Sequence, residues 1–135
     1  MKIKIVIPAL IAAFVFASFI GCTLGPVEIE EIVICKNVDD TYKPVEPMDT
    51  FPSGTQAIYI SVKINYITPE DKITTKWYYL ETGEEINTAD FAAEKSGSGY
   101  HAFRFICDKG FSSGRYNAMV YLNNELIETV EFSVE

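Results

Sequence analysis

The stretch Ala57-Ile58-Tyr59-Ile60-Ser61-Val62-Lys63-Ile64-Asn65-Tyr66 decides the fold. Ile58, Ile60, Val62 and Ile64 alternate with Tyr59, Ser61, Lys63 and Asn65. A period of two gives a strand one apolar face and one half-wetted face. The pattern ends at Thr68-Pro69-Glu70-Asp71, where proline and acidic residues supply a break.

Related patterns run outward in both directions. Ile73 to Leu80 holds Thr74-Thr75 and Trp77-Tyr78-Tyr79, β-branched and aromatic residues that suit a pleated surface. Trp77 and Tyr79 share one face of it, Tyr78 and Leu80 the other. After Gly83, Glu84 to Ile86 reads as a short edge strand. Thr88 to Lys95, with Ala89, Ala92 and Ala93, reads as a turn or short helix. Ser96-Gly97-Ser98-Gly99 is a turn and lacks the Lys-Ser/Thr ending of a phosphate loop. Alternation resumes with Phe103, Phe105 and Cys107 against Ala102, Arg104 and Ile106. Arg115 to Leu122 and Glu125 to Val134 form two further strands, joined at Asn123-Asn124, residues that tolerate positive φ in a hairpin. On the N-terminal side, Ile29 to Cys35 is a strand. Asn37 to Gly54, with Pro44, Pro47 and Pro52, is a loop or an irregular edge.

Six or seven short strands with no sustained helical pattern predict an all-β antiparallel sandwich or barrel. Its expected core is Ile58, Ile60, Val62, Ile64, Trp77, Phe103, Phe105, Tyr116, Val120 and Phe132. The run Gly114-Arg115-Tyr116-Asn117-Ala118-Met119-Val120-Tyr121-Leu122-Asn123-Asn124-Glu125-Leu126, followed by Phe132-Ser133-Val134, resembles the last hairpin of immunoglobulin-like or fibronectin-type-III-like modules of prokaryotic surface proteins. Trp77 resembles the core tryptophan of an immunoglobulin-like third strand. The resemblance implies an immunoglobulin-like β-sandwich of about seven strands; it implies no activity and no binding residue.

The first 21 residues read differently. Lys2 and Lys4 precede 17 residues without charge, Ile5 to Gly21, the n-region and h-region of an export signal. Phe19-Ile20-Gly21-Cys22 resembles the end of a prokaryotic lipoprotein signal, in which the cysteine is lipidated and becomes the first mature residue. Such signals usually carry Leu and a small residue where Phe19 and Ile20 stand. The alternative is an uncleaved transmembrane helix, for which 17 residues is at the short end of the roughly 17–25 required. Lys2 and Lys4 before the apolar run, with Glu28, Glu30 and Glu31 after it, put the remainder outside the cytoplasm in either case. The expected organisation is a signal or anchor over 1–21, a tether over 22–28 and a β-sandwich domain over 29–135. The expected location is the extracytoplasmic face of a membrane, by lipid at Cys22 or by a single helix.

From Cys22 onward 114 residues remain, enough for one domain. Loss of Lys2 and Lys4 leaves 9 basic residues of 11 against 19 acidic ones, a formal charge of -10. That balance excludes nucleic acid as a partner, because phosphates reward Lys and Arg. With Cys22 assigned to the anchor, Cys35 and Cys107 form an even pair in an oxidising location, which predicts a disulfide. Closing a loop of roughly 70 residues would contribute on the order of 4 kcal/mol. Two buried free thiols are the alternative.

Catalytic chemistry finds little support. His101, the one histidine, completes no Ser-His-Asp or Cys-His motif. Asp39-Asp40, Asp49, Glu70-Asp71 and Glu84-Glu85 lack the ordered spacing of a calcium loop. No enzyme activity, metal or cofactor is expected. The better signal is aromatic. Tyr59, Tyr78 and Tyr121 lie opposite or beside the apolar alternation and are expected to form one binding face, since such rings join broad contact area to a polar end. The expected function is therefore a membrane-anchored, non-enzymatic module that binds an envelope protein or glycan or holds part of an assembly. The alternative is a lipoprotein that binds a small carbohydrate or a metal.

Overall fold

Alternating sequence becomes strand throughout the residues that the computed structural model describes, 25–135. Nine strands follow in chain order: β1 Glu28–Val38, β2 Pro44–Pro47, β3 Thr50–Phe51, β4 Ala57–Ile67, β5 Lys72–Tyr79, β6 Glu84–Ala92, β7 Gly97–Ile106, β8 Gly114–Leu122 and β9 Glu125–Val134. They form a four-stranded sheet, β2-β1-β4-β7, packed on a five-stranded sheet, β3-β9-β8-β5-β6. All pairs are antiparallel except β3 with β9. Among the described residues no helix is long and apolar enough to cross a membrane. The leader, the tether start and Cys22 lie outside the described residues.

The decisive strand sits where its pattern demands. β4 is flanked by β1 and β7, and Ile58, Ile60, Val62 and Ile64 face the opposite sheet at 0–3% exposure. Trp77, fully buried, meets Phe105 edge-on at 5.3 Å and Phe132 edge-on at 5.9 Å, with its Nε1 donating to Thr75 Oγ1 at 3.2 Å. Offset and edge-on aromatic packing of this kind joins the two sheets. Every expected core residue is buried except Phe105, which is half-buried.

Tyr116, near the start of β8, donates its hydroxyl to the Ser112 carbonyl at 2.6 Å, four residues upstream. This is the tyrosine-corner arrangement of immunoglobulin-like sandwiches. At the other end of β8, Asn123 (φ 51°) and Asn124 (φ 72°) turn the chain into β9 with Leu122 opposite Glu125.

The proline-rich segment takes the edge form of its two readings, contributing β2 and β3 and bringing the total to nine. Two expectations are corrected. Thr88 to Ala92 is strand rather than helix: Asn87, Ala89 and Phe91 pair with Trp77, Thr75 and Ile73 along β5. Cys35 and Cys107 are free thiols. Cys35 pairs with Tyr59, and Tyr59 with Arg104. Cys107 therefore lies two strands away and three residues along, about 14 Å off at sheet spacings. A bridge requires Cα atoms within about 7 Å. The inter-sheet pair of antibody domains joins the strands equivalent to β4 and β8. Neither cysteine is on those strands.

Candidate functional site

The central strands of the five-stranded sheet carry an aromatic and apolar outer face. On β5, Ile73, Thr75 and Trp77 point inward, so Thr74, Lys76 and Tyr78 point out. On β8, Tyr116, Ala118 and Val120 point inward, so Asn117, Met119 and Tyr121 point out. Register sets them side by side: Tyr78 by Asn117, Lys76 by Met119, Thr74 by Tyr121. β9 adds Glu131 beside Asn117, Thr129 beside Met119 and Leu126 beside Tyr121. β6 closes the other margin with Glu85 beside Tyr78 and Asp90 beside Thr74.

Local contacts hold these groups in place. Lys76 Nζ lies 5.3 Å from the centre of the Tyr121 ring, within cation–π range. The Tyr121 hydroxyl points to Met119 Sδ at 3.5 Å and the Tyr78 hydroxyl to Glu85 Oε1 at 3.5 Å. Thr74 donates to Asp90 Oδ1 at 2.7 Å, and Thr88 to Glu85. Asn117 Oδ1 is shielded and accepts no hydrogen bond from a described group. Leu126 is 47% exposed. The result is a patch of two tyrosines, a methionine and a leucine around one lysine, with carboxylates at its margins.

Tyr59 is not part of it. The strand β4 belongs to the other sheet, and Tyr59 lines a hollow of about 400 Å³ with Met48, Phe51, Pro52 and Gln56. The single face expected from three tyrosines is thus divided: Tyr78 and Tyr121 share a surface, and Tyr59 lies on the opposite side of the sandwich. Alternation assigns a residue to a side of its own strand and cannot say which sheet that strand joins.

The outward side of β1 and β4 also hides polar groups. Cys35 is fully buried and Ser61 is 1% exposed, although both face away from the core. The β1–β2 hairpin folds over them. Ser61 Oγ donates to the Tyr42 carbonyl at 2.6 Å, and Lys43 Nζ reaches to 5.8 Å from the Tyr100 ring. Burial raises the Cys35 thiol pKa; burial and then the Asp108 charge raise that of Cys107. Both sulfurs are held as thiols, the less nucleophilic form.

His101 stacks on Phe91 at 3.6 Å and meets Phe103 edge-on at 5.0 Å. Burial pulls its pKa down to about 4. The hollow beside it is lined by Ile64, Ile67, Phe91 and Lys95 among others, without a carboxylate. Ser98 Oγ there accepts from the Tyr66 amide at 2.9 Å. The acidic loops do not converge either. Asp39 is engaged by Thr41 and the Lys43 amide, Asp71 by Thr68 and Asn123. Among the described residues no three of His, Cys, Asp and Glu gather to hold a metal ion.

Two packed sheets in this order, a core tryptophan and a tyrosine corner define an immunoglobulin-like β-sandwich. An immunoglobulin-like protein from Pseudomonas aeruginosa has a similar structure, with a TM-score of 0.59 and 12% identity over 84% of this chain and 100% of that one. A CARDB domain from Pyrococcus furiosus, in complex with di-metal ions, aligns with a TM-score of 0.39 and 13% identity over 78% of this chain and 94% of that one. An alkylpurine DNA glycosylase from Pseudomonas fluorescens, bound to DNA containing an abasic site analog, gives 0.47 and 16% over 81% of this chain and 30% of that one. The first of these establishes likeness of fold, and the other two carry no argument. No protein-family model and no curated protein matches the sequence.

Proposed function

We propose that this chain is a non-enzymatic recognition module, held by its N-terminus at the extracytoplasmic face of a membrane, whose five-stranded sheet docks a partner protein. The observation that carries the reading is the Tyr78, Lys76, Met119, Tyr121, Leu126 patch on adjacent strands. Protein interfaces favour an aromatic and methionine centre within a polar rim. Rigid strands keep the ordering cost of such a surface low. Glu85, Asp90 and Glu131 at the margins suit a partner that presents Arg or Lys around an apolar centre.

Attachment rests on the leader sequence, with lipid on Cys22 as the preferred form. Intact-mass measurement of the membrane fraction, with and without Cys22→Ser, tests it. An unlipidated full-length chain in both samples rejects lipidation. Docking is tested by placing a photo-crosslinking residue at position 121 or at position 63 on the opposite sheet. A discrete protein adduct from 121 alone is expected; no adduct from 121, or the same adduct from both, rejects the face.

The alternative of a small carbohydrate ligand is favoured by one feature. The hollow beside Tyr59 joins an aromatic wall to the amides of Asn37 and Gln56. Quenching or shift of Tyr59 fluorescence on sugar titration, lost in Tyr59→Leu, would support that reading over protein docking.

A further inference from the structure

The sandwich has four terminal strands, β2 and β7 in one sheet and β3 and β6 in the other. Unpaired amides and carbonyls along such edges are templates for another chain, and proteins guard them with short strands, proline, bulges or charge. Three of the four are guarded in these ways. β2 has four residues and begins and ends in proline; β3 has two residues. β6 is broken by a bulge opposite Trp77 and Tyr78 and carries Glu84, Glu85 and Asp90.

β7 differs. It runs ten residues, Gly97–Ile106, with no proline and no carboxylate; its pairing with β4 is regular from Ala57 to Ile64, and its one register shift, between Ile64 and Ile67, falls at the Gly97 end. Arg104 is exposed and makes no ion pair with a described residue. Lys43 and Lys63 place their ammonium groups 5.8 Å and 5.9 Å from the Tyr100 ring on the same strand. Lys95 lines the hollow beside Gly97, Gly99 and His101. Glu30 lies 3.6 Å from Lys63, and Lys43 stands close enough to Asp39 to lower its pKa, so Arg104 is the cation of this strand without an ion-pair partner among the described residues, in a chain of net charge -8.

We propose that β7 accepts an extended acidic segment of a partner protein as an added strand. Main-chain hydrogen bonds to the β7 edge supply the affinity of such an addition, and alternate side chains supply the choice of sequence. A carboxylate of the segment meets Arg104, which is exposed on the outward face of the strand. A second copy of this chain fits poorly, because its own β7 has no carboxylate to offer Arg104. The edge is distinct from the tyrosine patch on the other sheet and does not depend on it.

The test uses the full-length chain in detergent and three eight-residue probes: alternating Glu and Val, the same with Lys for Glu, and the acidic probe N-methylated along its pairing edge. Labelled-peptide anisotropy gives affinity, and amide hydrogen exchange gives location. The acidic probe is expected to bind and to slow exchange within Gly97–Ile106. It should bind at least tenfold more weakly to Arg104→Glu, and the Lys and N-methylated probes should not bind. Arg104 is exposed, and an unchanged urea midpoint verifies that the variant folds. Binding that ignores charge or N-methylation, protection elsewhere, no binding at millimolar peptide, or self-pairing through β7 overturns the proposal.

Discussion

His101 shows how one side chain ties stability to pH. Its ring lies between Phe91 and Phe103, Tyr42 is 6.0 Å away, and Lys95 lines the same hollow. None of these neighbours supplies a negative charge at neutral pH, and burial lowers the pKa to about 4. An unfolded histidine takes a proton near pH 6.5, so the unfolded state binds protons first. The contribution is complete above 6.5, shrinks as pH falls and is gone below about 4, a loss on the order of 2 kcal/mol for a group still partly exposed. His101→Phe keeps the stack and removes the titration. Its urea midpoint should change less than that of the unmodified chain between pH 7 and 4.5, and equal slopes would reject the assignment. Asp39 and Glu81 are held below the usual carboxylate range, foremost by the Thr41 and Arg115 amides, so their losses come at lower pH. Tyr116→Phe tests the corner separately: loss of the bond to Ser112 should cost about 1–2 kcal/mol in urea unfolding.

At the level of elements, strand pairing decides what alternation leaves open. Residues 88–92 carry alanines that suggest a helix, yet Asn87, Ala89 and Phe91 also alternate with Thr88 and Asp90, and the long partner β5 selects the extended form. The period-two signal is in the sequence, and the alanine content of the same residues points the other way. Tyr78 and Tyr121 were legible as outward residues because each strand alternates cleanly. The separation of Tyr59 was not, since sheet membership is a long-range property. The cysteine pair is separated for the same reason: parity and an expected compartment are read locally, whereas a bridge needs register. Alkylation under denaturing, non-reducing conditions should therefore modify both Cys35 and Cys107, and in the folded protein Cys107 ahead of buried Cys35. Protection of both until reductant is added would restore the bridge. Gly114 supplies a backbone test at the start of β8. Its φ is 141°, and an added Cβ would lie 2.8 Å from Glu81 Cγ and 2.9 Å from the Tyr79 ring. Gly114→Ala should lose about 1–3 kcal/mol, read as a lowered thermal midpoint.

Across the whole molecule, the strand directions give the domain two distinct ends. β1 starts at one end with Gly25 near the Tyr66 ring, and the β4–β5 loop and the Asn123-Asn124 turn lie at that same end, tied by Asn123 Nδ2 donating to Asp71 at 3.0 Å. The β7–β8 loop and Glu135 lie at the other, where Cys107 N donates to the Gln56 carbonyl at 2.8 Å and Glu135 N to that of Phe51 at 3.0 Å. Strands of about ten residues separate the ends by about 33 Å. Gly25 is already placed at this end, so the three residues 22–24 ahead of it span at most about 11 Å when extended. On the proposed attachment at Cys22, the Asn124 end is therefore held toward the bilayer, and both sheet faces and the β7 edge stand beside it rather than beneath it. Single labels at Asn124→Cys and Lys109→Cys, each in a Cys107→Ser chain on vesicles, should transfer energy to headgroup acceptors unequally, with position 124 the more efficient. Equal or reversed efficiencies would mean that the domain lies down on the membrane, which would cover one of the two proposed contact surfaces and remove it as a docking site.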